Sequence, residues 1–99
     1  MKIRILESAS QDLIEGFHFY EKQESGLGNY FMDSLFSDID SLQIYTGFHT
    51  VFFSKYHRML SKRFPFAIYY RVADNEVLVY AVLDCRRNPA WIRKRLNRA

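Results

Sequence analysis

One cysteine, Cys85, is the only thiol in 99 residues. A lone thiol excludes an internal disulfide and any cysteine-based zinc cluster, and it fits a reducing compartment. Two prolines and four glycines are too few to build a linker, and no repeat or low-complexity stretch divides the chain. The apolar run in "MKIRILESAS" is too short for a signal peptide, and nothing approaches transmembrane length. His18, His49 and His57 lack metal-ligand spacing. Gly26 and Gly28 end a helical stretch rather than opening one after a strand, as a phosphate loop would require, and no Ser/His/Asp order is present. The expectation is one cytoplasmic domain over residues 1–99, with no metal, no cofactor and no membrane partner.

What the chain does hold is apolar and aromatic: 48% hydrophobic residues and 17% aromatic ones. A domain of this size buries roughly 60–70% of its unfolded surface, enough for a core without metal or disulfide support. The net charge of +3 conceals a division. Residues 1–40 carry eight acidic groups against three basic ones, whereas residues 41–99 carry eleven basic groups against Asp74, Glu76 and Asp84. Such asymmetry either neutralises itself across the fold or turns one side of the molecule toward an anionic partner.

The local patterns predict a mixed α+β fold. "KIRIL" (2–6) alternates as a strand. Ser8 and Gln11 have capping-box spacing, and Ala9, Leu13, Phe17 and Tyr20 follow at helical intervals. "SGLGN" (25–29) breaks this helix, and Phe31, Leu35, Ile39 and Leu42 form the stripe of a second, giving an antiparallel helical hairpin. In residues 45–57, Gly47 argues for a loop and Val51 to Phe53 for a short edge strand. Residues 57–63, 65–72 and 76–84 read as three strands of an antiparallel meander that completes one sheet. Asp74-Asn75 supplies the hairpin turn, and Pro65 falls at a strand start. Asn88 as cap and Pro89 as first residue start a short C-terminal helix over 88–96.

That turn sets a register: Val72 opposite Val77, Tyr70 opposite Val79, Ile68 opposite Ala81 and Phe66 opposite Leu83. This face is apolar and should pack under the helices, which lie on one face of the sheet. The other face pairs Arg71 with Leu78, Tyr69 with Tyr80 and Ala67 with Val82, and runs on to Asp84 and Arg86. It is expected to be an open, tyrosine-lined surface with basic ends.

Three stretches carry a resemblance: "FYEKQESGLGNYF" (19–31), "KRFPFAIYYRV" (62–72) and "VYAVLDCRRNP" (79–89). In this order the chain resembles the RelE/ParE superfamily of toxins from toxin–antitoxin pairs, and specifically its ParE-like, plasmid-stabilisation branch. The first stretch is similar to a helix–Gly-Leu-Gly–helix join, the second to an Arg-Phe-Pro-aromatic strand, and the third to a strand leading into an Arg-Asn-Pro corner. The resemblance implies a toxin that arrests growth by binding a cellular target such as DNA gyrase and is neutralised by a cognate antitoxin protein. For the RelE-like branch it implies instead a ribosome-dependent mRNA endoribonuclease. A third reading is an inactive interaction module of the same fold. Sequence-specific DNA binding by this chain alone is not expected, since no recognition-helix motif is visible.

RNA cleavage through the 2′-OH needs a group that activates the hydroxyl and cations that hold the phosphate. By the resemblance, Arg58 and Arg87 occupy positions where the nucleases carry basic residues. The nucleases' mid-strand arginine falls on Ala67, and their C-terminal tyrosine falls near Trp91 to Arg93. Asp84 stands where many ParE-like sequences have histidine. The reading therefore leans from catalysis toward binding, with Arg58, Arg71, Tyr69, Tyr80, Arg86, Arg87 and Trp91 as the target- or antitoxin-binding candidates, and Arg58 and Arg87 as the catalytic candidates of the nuclease reading. Asp84 is expected to engage Arg86 and leave Arg87 free at the corner. Arg93, Lys94, Arg95 and Arg98 read as a solvated helix face. Cys85 has basic neighbours but no histidine partner, so it is not proposed as a nucleophile.

Overall fold

A computed structural model describes residues 1–52 and 55–98. The elements run β1 (Lys2–Ile5), α1 (Glu7–Gln23), α2 (Leu27–Asp40), α3 (Leu42–Tyr45), β2 (Val51–Phe52), β3 (Tyr56–Leu60), β4 (Phe66–Ala73), β5 (Glu76–Asp84) and α4 (Pro89–Asn97). The strands form one sheet in the order β1-β5-β4-β3-β2, antiparallel except for the parallel pairing of β1 with β5. The α+β class, the helical hairpin, the meander and the C-terminal helix are as the sequence implies. The expected edge strand is present as Val51–Phe52, and Phe53 lies outside the described residues.

The hairpin's geometry rests on small residues. Gly26 takes φ +92° to turn the chain. Glu21 then reaches forward from α1, and its carboxylate accepts the backbone N–H groups of Gly26 and Gly28, capping α2 from outside. A Cβ on Gly28 would lie 2.8 Å from the carbonyl oxygen of Phe17, so only glycine lets α1 and α2 approach this closely. Ser8 does not cap α1. The helix begins at Glu7 with Leu6 as its cap residue, and the Ser8 hydroxyl donates instead to the carbonyl of Tyr80. The sheet edge competes for that hydroxyl because β1 ends at Ile5 and leaves the later part of β5 without a strand neighbour on that side, β4 pairing with its other edge. Asp12 fills the next gap by accepting the Val82 N–H.

At the other hairpin, Asp74 and Asn75 both adopt positive φ, the two-residue turn anticipated from the sequence. The register holds through Tyr70 opposite Val79 and then shifts. A bulge at Tyr80 places Tyr69 opposite Ala81, Ile68 opposite Val82, Ala67 opposite Leu83 and Phe66 opposite Asp84, correcting the expected pairs Ile68–Ala81, Phe66–Leu83, Tyr69–Tyr80 and Ala67–Val82. The extra residue reverses the alternation of β5 beyond Tyr80. Val82 joins the core beneath the helical hairpin, with Leu13, Phe31, Leu35, Ile68 and Tyr70, and Asp84 follows it to that side. Ala81 and Leu83 turn to the opposite face.

That opposite face is not open. The apolar side chains of α4, Ile92 and Leu96, cover Ala67, Tyr69, Ala81 and Leu83 in a second core. Tyr56 seals its end by donating its hydroxyl to the carbonyl of Leu96 at 3.1 Å. α4 starts as expected, with the Asn88 side chain accepting the Ala90 N–H and Pro89 in the first turn. Arg95 departs from the solvated helix face. It makes a 2.7 Å ion pair with Asp12, both side chains largely buried, and also donates to the carbonyl of Ser8. Burial raises the Asp12 pKa despite the hydrogen bond from Val82 and the charge of Arg95. A buried pair of this kind fixes where α4 docks more than it adds net stability.

Candidate functional site

The bulge and α4 divide the candidate residues into three groups. At the corner after β5, Asp84 takes both the backbone N–H and the guanidinium of Arg86, with contacts of 2.7–2.9 Å. These bonds hold the Asp84 carboxyl below the usual range for an aspartate. Arg86 is thus occupied, as the two-residue spacing implied, although on the hairpin side rather than on the tyrosine face. The next residue behaves differently. Arg87 is exposed, and its guanidinium lies over the Trp91 ring, 4.1 Å from the centroid. A stacked guanidinium keeps its hydrogen-bonding edges available while the ring fixes its plane.

A second group lies around β3. Arg58 is half-buried; its Nε donates to the Tyr69 hydroxyl at 3.3 Å, its Nη2 lies 3.6 Å from the Cys85 thiol, and its guanidinium sits over the Phe52 ring. Tyr69 is only 2% exposed. Its burial raises the phenol pKa, outweighing the neighbouring Arg58, so it remains protonated at neutral pH. The third group is at the far end of the same face: Tyr80, half-buried, packs edge-on against Tyr56 with centroids 5.3 Å apart, and Arg71 is exposed beyond them. The structure therefore does not gather Arg58, Arg71, Tyr69, Tyr80, Arg86, Arg87 and Trp91 into one continuous patch. Tyr69 is a core residue and Tyr80 largely so.

One concavity was not anticipated. A groove of about 420 Å³ runs between α1 and the corner, lined by Asp12, Glu15, Gly16 and Phe19 from α1, by Phe66, by Val82, Leu83 and Asp84 from β5, and by Arg87 and Trp91. Its floor is apolar and its rim mixes carboxylates with the stacked arginine, a composition suited to an apolar side chain presented by a polar segment. Nothing in the sequence pointed to it; Gly16, which interrupts an otherwise good helix, answers to core packing, since a Cβ there would lie 2.5 Å from the buried Phe31 ring.

Chemically, the β3 group offers a protonated phenol and a guanidinium engaged with it. Among the described residues, no hydrogen bond joins a nucleophile to a base there, and no group of three or more His, Cys, Asp or Glu side chains could hold a metal ion. Ala67, where the resemblance places a nuclease cation, is fully buried beneath α4.

A chain of the chromosomal ParDE TA system from P. aeruginosa superposes with a TM-score of 0.74 at 16% identity, covering 83% of this chain and 92% of that one. The fold is one found in a ParDE toxin–antitoxin system. No family model matches the sequence, and no curated protein matches it. At 16% identity the likeness concerns the backbone, and the side chains of the corner, the groove and the β3 group must speak for themselves.

Proposed function

We propose that this protein is the toxin of a type II toxin–antitoxin pair, arresting growth by binding a cellular target such as DNA gyrase and neutralised by a cognate antitoxin. The fold shared with a ParDE chain and the three resembling stretches support the general class. The observation that carries the binding mode is the corner: Arg86 is consumed by Asp84, whereas Arg87 stands stacked on Trp91 at the rim of an open groove. That arrangement presents a fixed cation beside apolar surface, which suits recognition of a partner.

Induced expression should halt growth, co-expression of the small protein encoded beside this gene should restore it, and the purified protein should inhibit gyrase supercoiling. Arg87→Glu should lose inhibition while Arg86→Glu retains most of it. Normal growth on induction would leave an inactive module of this fold.

The runner-up is a ribosome-dependent endoribonuclease, favoured by one observation, the contact of Arg58 with the Tyr69 phenol. Primer extension on mRNA after induction tests it directly. Site-specific cleavage lost in Arg58→Ala and Arg87→Ala would replace the gyrase reading.

A further inference from the structure

The open edge of β5 runs along the floor of the groove. β1 ends at Ile5, opposite Val79, so beyond that point β5 has β4 on one side and no strand on the other. The Val82 N–H leaves the sheet on this open side, where Asp12 accepts it at 3.0 Å, and the Val82 carbonyl points the same way, as the two backbone groups of a strand residue do. Asp84, two residues on, has the same orientation. Phe66, which lies opposite it, gives its N–H to Phe64 and accepts that of Ser61, turning away from β5. Among the described residues, no hydrogen bond reaches the Val82 carbonyl or the Asp84 N–H. One acceptor and one donor thus stand side by side on the groove floor.

The charges at the rim complete the pattern. Asp12 is paired with Arg95 and Asp84 with Arg86, which leaves Glu15 and Arg87 as the lining charges with no ion pair among the described residues. A phosphate here would face Glu15, an amine would face Arg87, and a neutral apolar molecule would use neither. A zwitterion satisfies both. Its carboxylate takes the Arg87 fork and the Asp84 N–H, and its ammonium takes Glu15 and the Val82 carbonyl. The apolar space between Phe19 and Trp91 receives its side chain, and Phe19 is 51% exposed without such an occupant. The ligand is also short. A second concavity, lined by Gln11 and Arg98 among others, shares Asp12 and Glu15 with the groove, and the buried Asp12–Arg95 pair stands between the two as an end wall. The volume of about 420 Å³ lies toward the lower end of small-molecule sites, which span about 300–1,000 Å³.

We propose that the groove is a binding site for a free aromatic amino acid, held as its zwitterion between Glu15 and Arg87 and hydrogen-bonded along the open edge of β5. An amino acid placed in this way continues the parallel ladder from which β1 withdraws, lying opposite Leu83 with its ring against those of Phe19 and Trp91. The inference is independent of the growth-arrest reading, because it is tested by binding to the purified protein alone.

The probe is L-phenylalanine, titrated into isotopically labelled protein and followed by amide chemical shifts and calorimetry. The expected result is saturable binding, with the largest shifts at Val82 to Arg87. Phenylalaninamide lacks the carboxylate and N-acetylphenylalanine lacks the ammonium. Each should bind at least about tenfold more weakly, since each loses a charge-assisted pair. Variants read the same contacts from the protein side. Arg87→Gln should bind the amino acid and its amide alike, and Glu15→Gln the amino acid and its N-acetyl derivative alike, whereas Arg98→Gln should keep the parent's affinities. Absence of saturable L-phenylalanine binding would overturn the proposal, as would unchanged discrimination in either Arg87→Gln or Glu15→Gln. Equal binding of N-acetylphenylalanine by the parent protein would also overturn it, and would make the groove a site for the C-terminus of a protein chain.

Discussion

At the scale of single residues, neighbours in sequence have opposite roles. Arg86 and Arg87 differ only in which way the chain points them, and that difference is set by Asp84 two residues earlier. Arg86→Ala removes an exposed ion pair, which contributes little in water. Its urea midpoint should match the parent's, and under the proposed function growth arrest on induction should persist; a large loss of arrest would show that the pair organises the corner. The contact between His49 and Tyr70 gives a pH signature. Burial, and secondarily the charge of His57, lowers the His49 pKa, so folding favours neutral imidazole, and the Tyr70 hydroxyl faces its Nδ1. The sign follows from proton binding: between the lowered folded value and the unfolded value of about 6.5, the unfolded chain holds more protons, so stability rises with pH. This contribution is present above that unfolded value and is lost as pH falls through the lowered folded one. Urea midpoints measured at falling pH should decline below neutrality, and His49→Gln should flatten the decline; identical slopes would remove His49 from the explanation.

At the scale of elements, the fold was largely legible because each signal was local. Gly26, the Asp74-Asn75 turn and the Asn88-Pro89 cap all determine structure within a few residues. What escaped the sequence was non-local. Ser8 has capping spacing, but the unoccupied edge of β5 takes its hydroxyl. The bulge at Tyr80 cannot be read from "EVLVYAVLD", which alternates equally well in either register until Ser8 and Asp12 pin the edge. The candidate site suffered accordingly. Asp84 engaging Arg86 was readable from spacing, while the burial of Tyr69 and the groove beside Gly16 depend on helices packing across the sheet. Those packings make their own predictions. Leu96→Ala, in the α4 core, should cost about 2–5 kcal/mol in chemical denaturation. Gly28→Ala forces a methyl against the Phe17 carbonyl and should cost about 1–3 kcal/mol. A neutral result there would mean that the helices can slide apart.

At the scale of the whole molecule, the sheet is a partition between two cores of unequal size. The one beneath the helical hairpin includes Leu13, Phe31, Leu35, Ile68, Tyr70 and Val79, drawn from both helices and the central strands. The one beneath α4 takes its helical cover from Ile92 and Leu96. Fully burying two aliphatic side chains contributes about 3–6 kcal/mol, a large fraction of the 5–15 kcal/mol, roughly, that keeps a domain folded. Ending the chain after Asn88 should therefore lower the urea midpoint sharply without erasing the fold, because Asp12 still caps the Val82 N–H and the hairpin core is untouched. The truncated protein should retain slow amide exchange in α1, α2 and β4, and should bind a hydrophobic dye over the exposed Tyr69, Ala81 and Leu83. It would also uncover Ala67, which makes Ala67→Arg a paired test: disruptive in the full chain, where the charge lies under α4, and tolerated once α4 is gone. If Ala67→Arg is harmless in both backgrounds, α4 is not held over the sheet in solution. The face would then be open to a polyanion, and the balance would move from binding at the corner toward cleavage on the sheet.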